Sequence, residues 1–168
     1  MIFVTVGTHE QPFDRLVKYI DDRKRDGVIG EEVVMQTGYS TYEPKHCAFQ
    51  RFYPYQRMEE LTREARIVVT HGGPSSFILP LRLGKVPVVV PRQRRYGEHV
   101  DDHQTAFAGE VAKRTGSILA VMEIKELEDI ILNYDAVIRA KRCGIRSNNA
   151  RFNQELEKIV EGLMAEDA

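Results

Sequence analysis

An apolar run that ends in two glycines is the feature that most constrains the fold of this chain. The run covers residues 67–70, and the sequence His71-Gly72-Gly73-Pro74-Ser75-Ser76 follows it directly. A buried strand that passes through glycines into a new helix brings backbone N–H groups and the positive end of the helix dipole close to an anion. The pattern therefore predicts a diphosphate site; the alternative is an ordinary strand-to-helix turn in which His71 is only packed.

Short apolar runs alternate with longer amphipathic runs along the rest of the chain. This alternation predicts strand and helix units on a mostly parallel sheet, an α/β, Rossmann-like fold with helices on both faces. Strands are predicted at residues 2–6, 32–36, 50–52, 67–69, 86–90 and 117–119. Helices are predicted at residues 12–24, 58–64, 75–83, 100–114 and 124–132.

The length of 168 residues, with 42% hydrophobic residues, is that of one domain with a real core, so residues 1–168 are expected to form a single domain. Its last part differs, because five basic residues between 139 and 151 precede a helical pattern of apolar residues. We expect residues 145–165 to form an amphipathic helix that either packs on its own domain or docks to a partner or an anionic membrane surface.

Charge and cysteine content exclude several classes of protein. The chain has 24 Lys and Arg against 25 Asp and Glu, a net charge of −1, which does not suggest a nucleic-acid-binding protein. Cys47 and Cys143 are far apart and lack CxxC spacing, so we expect reduced thiols of a cytoplasmic protein rather than a zinc site or a disulfide framework. No apolar run approaches the roughly 20 residues of a membrane span.

Two further segments carry polar residues where a ligand could bind. The first is Val6-Gly7-Thr8-His9-Glu10, in which Gly7 permits a tight turn and Thr8 or His9 can face a ligand at the carboxyl end of the sheet. An ordinary turn is the alternative. His9 and Glu10 are the candidate general bases of this loop.

The second segment is Glu98-His99-Val100-Asp101-Asp102-His103-Gln104. His99 and His103 are spaced by one helical turn, but the glutamate and third ligand of a zinc motif are missing, so we expect no metal site and no cofactor. Donors and acceptors at a helix start suit sugar hydroxyl groups better. Just before this segment, Arg92, Arg94 and Arg95 either are solvated or add phosphate contacts.

Taken in order, these segments resemble the C-terminal, nucleotide-sugar-binding half of a family 28 glycosyltransferase of the GT-B type. The resemblance covers residues 1–132, and Gly97 to Gln104 is its most specific part. Within that family the chain is most similar to small Alg13-like and PssE-like exopolysaccharide glycosyltransferase subunits, including capsular galactosyltransferase subunits.

The resemblance implies a role for each matching residue. The diphosphate would lie against Gly72, Gly73, Ser75 and Ser76, next to His71, and the donor sugar would meet His103 and Gln104, with Glu98 and Asp102 in the same donor segment. Gly7, Thr8 and His9 would line the side of the cleft that faces the acceptor. The family commonly has an acidic residue six positions after the second glycine, where this chain has Leu79 followed by Pro80.

The resemblance also implies a heteromeric enzyme. This chain would be the UDP-sugar-binding subunit of a two-component hexosyltransferase, transferring galactose or N-acetylglucosamine to a lipid-linked saccharide acceptor in exopolysaccharide or capsule biosynthesis. A membrane-associated Alg14-like or PssD-like subunit would hold it at the inner face of the membrane. The alternative is a non-catalytic activator or interaction subunit, and a free-standing nucleotide-sugar enzyme such as an epimerase is less well supported.

Overall fold

The structure, a computed structural model, describes residues 1–144, and the chain divides into two compact units, residues 1–134 and 135–168. The strands are β1 (Ile2–Thr5), β2 (Val33–Gln36), β3 (Ala48–Gln50), β4 (Ile67–His71), β5 (Val88–Val90) and β6 (Leu119–Ala120). The helices are α1 (Asp14–Arg25), α2 (Tyr55–Glu64), α3 (Pro74–Arg82), α4 (His103–Thr115) and α5 (Glu126–Gly144), with a 3-10 turn at Arg94–Tyr96. The predicted helix at residues 145–165 lies outside the described residues, and the single domain stays a prediction.

The six strands form one sheet in the order β3-β2-β1-β4-β5-β6, and every neighbouring pair is parallel. β1 lies in the middle, with Thr5 opposite Gln36 of β2 on one side and Thr70 of β4 on the other. This order is that of a Rossmann-like sheet. The fold class predicted from the alternating runs is therefore confirmed.

Helices cover both faces of the sheet because parallel neighbours require right-handed crossovers. The chain turns towards one edge after β1 and towards the other after β4, which places α1 and α3 on opposite faces. Phe77 of α3 stacks on Phe107 of α4, with ring centroids 6.0 Å apart, so these two helices share a face. Arg23 of α1 forms a 3.1 Å ion pair with Glu128 near the start of α5 on the other face.

The alternation of side chains along the strands divides the core between the two faces. Phe3, Val34 and Val68 are register partners and form one row across β1, β2 and β4. Leu61 of α2 packs on this row, and all four side chains are buried. Burial of a side chain of this kind contributes roughly 1.5–3 kcal/mol, so the row fixes the position of β1 and β4 relative to each other.

Several predicted bounds shift, with identifiable physical reasons. β3 begins two residues earlier than predicted and its three residues are exposed, because it is an edge strand without an apolar pattern. α4 begins at His103 rather than at Val100 because residues 97–102 form a loop. α5 begins two residues later than predicted and continues to Gly144. Within residues 1–144, no helix is both long enough and apolar enough to cross a membrane.

Candidate functional site

The candidate site lies where the chain changes direction across the sheet. β1 and β4 are neighbours, yet the chain leaves them towards opposite edges, so their carboxyl ends open into a crevice. In open α/β sheets ligands bind at this switch point. The two loops there are Val6 to Glu10 after β1 and Gly72 to Pro74 after β4, the first two segments that the sequence singled out.

The imidazole of His71 is held between two glycines at the base of this crevice. A Cβ atom added at Gly7 would lie 2.3 Å from His71 Nε2, and one added at Gly73 would lie 2.3 Å from His71 Cε1. Gly7 also has φ +73, a conformation that favours glycine. Both glycines are therefore required by close approach to His71, and the loops after β1 and β4 are packed together through its ring.

His71 is buried and neutral. The backbone N–H of Gly73 donates to His71 Nδ1 at 3.0 Å, which assigns the ring proton to Nε2. Burial, helped by the positive charge of Arg92, lowers the pKa of His71 to about 4. The imidazole thus acts as a hydrogen-bond acceptor that fixes the backbone of the turn, and a diphosphate site at this turn stays a prediction.

Helix α3 begins directly after this turn, with Gly73 as its N-cap and Pro74 as its first residue. Neither residue offers a side-chain oxygen, and within the described residues no side chain caps the helix. The N–H of Gly73 donates to His71 Nδ1 at 3.0 Å, Pro74 has no N–H, and the N–H of Ser76 donates to the Gly73 carbonyl at 3.0 Å. The first turn therefore offers a phosphate oxygen the N–H of Ser75 and the positive end of the helix dipole. Ser75, in this first turn, is exposed.

Ser76 is engaged inside the turn. Its Oγ lies 3.0 Å from the carbonyl oxygen of His71 and 2.6 Å from that of Gly73, and it donates its proton to this pair. The hydroxyl therefore stabilises the turn, and a direct contact with a diphosphate remains a prediction for Ser75 and Ser76 alike.

Gln104 connects the loop after β4 with the loop after β5. Its Oε1 accepts the backbone N–H of Gly72 at 3.1 Å and that of Arg92 at 3.2 Å. A Cβ atom at Gly72 would lie 2.9 Å from Cβ of Gln104 and 3.0 Å from Cβ of Pro91, so this glycine too is required by close packing. Gln104, in the first turn of α4, thus lies at the crevice next to Gly72.

Arg92 follows β5 and is completely buried, which contradicts the expectation of a solvated arginine run for this residue. Its Nη2 donates to the carbonyl of Val6 at 2.9 Å, and its Nη1 donates to the carbonyls of Gln11 at 2.7 Å and Glu98 at 3.1 Å. The guanidinium also lies over the ring of Phe13, 4.8 Å from its centroid. Burial lowers the pKa of Arg92 to about 10, so it stays charged at neutral pH. Arg94 and Arg95 are exposed, as expected.

Glu98 is buried beneath the crevice as the partner of Arg15 from α1. Arg15 Nε and Nη2 donate to the two carboxylate oxygens at 2.8 and 2.9 Å, and the backbone N–H of Gln93 donates to Oε2 at 3.0 Å. Both oxygens are thus occupied by the protein. In this structure Glu98 holds the loop between β5 and α4 against α1, and its predicted contact with the donor stays untested.

The rim of the crevice carries the remaining predicted residues. His9 stacks on His99 with ring centroids 4.8 Å apart, which joins the loop after β1 to the loop before α4. His9 Nε2 and Gln11 Oε1 are 2.9 Å apart, whereas Thr8 and Glu10 are exposed. His99 precedes α4 and His103 begins it, so the two histidines are not on successive turns of one helix as their spacing had indicated.

Asp102 and His103 lie at the start of α4, as predicted, and both are exposed. Asp102 Oδ1 accepts the backbone N–H of Arg94 at 2.9 Å. The imidazole of His103 is 84% exposed, with its Nδ1 3.7 Å from Asp101 Oδ2, so a ligand in solvent can reach it. Among residues 1–144 no three His, Cys, Asp or Glu side chains are arranged to hold a metal ion.

Comparison with known proteins identifies the family. The family model described as the glycosyltransferase family 28 C-terminal domain matches residues 1–142. The chain belongs to this family. No curated protein matches the chain significantly.

The fold of this family 28 domain is also that of part of a solved enzyme. The crystal structure of the glycosyltransferase SnogD from Streptomyces nogalater aligns with a TM-score of 0.57 and 17% sequence identity. The alignment covers 99% of this chain and 43% of SnogD, so the chain spans less than half the length of that protein. At this identity the likeness shows the fold, a GT-B glycosyltransferase domain.

The family 28 domain thus brings together five of the predicted site residues, which are Gly7, His71, Gly72, Gly73 and Gln104. Around them it places Arg15 and His99, which the sequence reasoning did not assign to a donor site, and Arg92, for which it left open either solvation or a phosphate contact. Arg92 is the first charged residue after β5, and its position at the carboxyl edge of the sheet was the one available signal.

Proposed function

We propose that this chain is the UDP-sugar-binding subunit of a two-component glycosyltransferase that transfers a hexose to a lipid-linked saccharide. The observation that carries the proposal is the turn after β4, where His71, Gly72 and Gly73 lead into an uncapped helix start at the switch point of the sheet. Membership in the family 28 C-terminal domain family supports a glycosyltransferase role.

The diphosphate of the donor would lie on the first turn of α3, which we call the diphosphate seat. The backbone there is fixed by the bond from the Gly73 N–H to His71, so little reorganisation is needed when charge develops on the departing UDP. Backbone dipoles and hydroxyl groups can stabilise that charge. We therefore expect donor binding to need no divalent cation.

Sugar and acceptor would occupy opposite rims of the crevice. Gln104 and the exposed His103 stand beside the diphosphate seat on the donor side. In the transfer, the acceptor oxygen bonds to the anomeric carbon, the bond from that carbon to the diphosphate breaks, and a base takes the proton of the acceptor hydroxyl. His9 and Glu10 on the loop after β1 are the candidate bases of this chain.

A partner would complete the cleft. The GT-B cleft that the family 28 resemblance implies lies between two domains of similar size, and this chain, which spans 43% of SnogD, would supply one of them. We propose that a membrane-associated subunit supplies this domain and the acceptor site at the cytoplasmic membrane face. The chain should then co-float with membranes that contain the partner, and should fail to float with protein-free vesicles or protease-treated membranes.

A charge placed on the first turn of α3 tests the diphosphate seat. Ser75→Asp adds a carboxylate at the second position of α3, where it stabilises the helix by roughly 0.3–1 kcal/mol but repels a diphosphate. Gln56→Asp is the matched control, because Gln56 is exposed at the second position of α2, which also lacks a side-chain cap. Calorimetry should show UDP binding weakened about 10-fold or more by S75D through charge repulsion and unchanged by Q56D.

Equal UDP affinities of the two variants, with both folded, would refute a seat at α3. The second candidate function, a non-catalytic activator subunit, is favoured by Leu79, which stands where the family commonly has an acidic residue. That function predicts no donor binding by the wild-type chain, so the same titrations separate the two candidates.

A further inference from the structure

The buried ionic cluster beneath the crevice contains more positive than negative charge. Arg92 is completely buried, the side chain of Arg15 is 13% exposed and that of Glu98 is 4% exposed. The cluster therefore holds two guanidinium groups and one carboxylate. His71 beside it is neutral at physiological pH and adds no charge to the cluster.

The hydrogen bonds of the cluster also leave its positive charge in excess. Glu98 uses both oxygens on Arg15 and Gln93, and the guanidinium of Arg92 bonds to backbone carbonyls that carry no net charge. Within residues 1–144, Arg15 Nη1 and Arg92 Nε are buried nitrogen atoms without a hydrogen-bond partner. A buried charge that lacks a compensating partner is costly, and such groups are commonly paired or functional.

The excess charge lies next to the proposed diphosphate seat. Gln104 Oε1 accepts the backbone N–H groups of both Arg92 and Gly72, which places the two residues side by side. The Arg92 guanidinium bonds to the Val6 carbonyl, immediately before Gly7, and Gly7 contacts the His71 ring. The carboxylates of Asp101, Asp102 and Glu10 are on the solvent-accessible rim, where water and salt screen them.

We propose that Arg92 is a positioning residue whose buried positive charge attracts the diphosphate of the donor without touching it. This charge is unbalanced because the carboxylate of Glu98 is paired with Arg15. This inference rests on the proposed function. The guanidinium holds the loops after β1 and β5 through backbone carbonyls, and its charge favours an anion on the first turn of α3. The ligand chemistry it selects is a nucleoside diphosphate over the uncharged nucleoside.

Charge-changing variants should alter UDP binding in opposite directions. Arg92→Met removes the excess charge and should weaken UDP binding about 10-fold, as expected for one charge acting at short range in a partly buried site. Arg92→Lys keeps the charge and should retain most of the affinity. Glu98→Gln increases the excess of positive charge and should strengthen UDP binding. If the Glu98 carboxylate instead contacted the donor sugar, the same change would weaken UDP-sugar binding.

Uridine is the control ligand, because a purely structural role of Arg92 would change the affinities for uridine and for UDP alike. We would titrate wild-type protein and the three variants with UDP and with uridine by calorimetry or ligand-observed NMR, after checking folding by thermal melting. The proposal expects uridine affinity to be equal in all folded variants while UDP affinity falls in R92M and rises in E98Q. Parallel loss of both ligands, or unchanged UDP affinity in R92M and E98Q, would overturn it.

Binding by the wild-type chain distinguishes a failure of the proposed donor site from a failure of the Arg92 role. A wild-type chain that binds neither UDP nor uridine contradicts the proposed function itself. A wild-type chain that binds UDP while E98Q binds it no better and R92K loses as much affinity as R92M contradicts only the role of the buried charge. Should R92M fail to fold, R92K and E98Q still decide the question.

Discussion

Replacing Gly73 by alanine should destabilise the protein far more than the same change at Gly30, which lies in an exposed loop. The added Cβ would lie 2.3 Å from His71 Cε1 and 3.0 Å from Nδ1, so the imidazole has to move. The other side of the ring is also occupied, since Gly7 packs there so closely that a Cβ atom added to it would lie 2.3 Å from Nε2. Gly73→Ala therefore cannot be absorbed by a small rotation of the ring.

The magnitude follows from two losses. Overpacking a filled site costs roughly 1–3 kcal/mol, and displacing the ring breaks the 3.0 Å bond from the Gly73 N–H to His71 Nδ1, worth about 1 kcal/mol or more when the groups are buried. The sum is about 2–4 kcal/mol, which for a chain of this size lowers the melting temperature by roughly 4–16 °C.

Thermal unfolding followed by circular dichroism measures this effect. The control is Gly30→Ala, since a Cβ at Gly30 meets nothing within 4 Å and its φ is not positive; it should melt at or slightly above the wild-type temperature. A double variant with His71→Ala removes the ring that the new methyl strikes, so it should cost less than the sum of the single changes. Equal melting temperatures for G73A and G30A, or strict additivity, would refute the packing described here.

Three further results are expected. Burial lowers the pKa of His71 to about 4, so between pH 6.5 and 4 the unfolded chain binds a proton that the folded chain does not. The free energy of unfolding should therefore fall as the pH falls through this window. Urea titrations of H71N should show a smaller fall, and an equal fall would contradict the assignment. Asp21 is buried and its carboxylate accepts the Tyr42 hydroxyl and the backbone N–H groups of Lys45 and His46, so D21N should cost roughly 1–3 kcal/mol, and a neutral result in urea would argue against this loop anchor. Burial raises the pKa of Cys47 to about 12, so iodoacetamide at pH 8 should alkylate it slowly until the protein unfolds; labelling as fast as that of a free thiol, seen by peptide mass mapping, would disprove its protection.

The central strands were predictable because their apolar runs are nearly uninterrupted. β1, β2 and β4 are buried on both faces, and such strands read as continuous hydrophobic segments. β3 lies at the sheet edge with all of its residues exposed, so no pattern marks its position. The turn at His71 was predictable for a different reason, since consecutive glycines after a buried strand limit what the backbone there can do.

The buried charges were not predictable from local sequence. Arg92 belongs to a run of arginines that is usually solvated, yet its side chain is buried because the backbone carbonyls of Val6 and Gln11, in the distant loop between β1 and α1, accept its hydrogen bonds. Glu98 matched the donor segment of the family, but its oxygens are taken by Arg15, which is 83 residues away along the chain. These pairings depend on the sheet order, which brings the loops after β1 and β5 together, and no spacing rule contains that information.

The account is tested most directly by titrating the purified chain with UDP, UDP-galactose, UDP-glucose and UDP-N-acetylglucosamine by calorimetry, with and without EDTA. It predicts saturable binding at one site, unaffected by EDTA and weakened in S75D. Absence of saturable binding for every one of these ligands up to millimolar concentration would contradict a donor site in this chain.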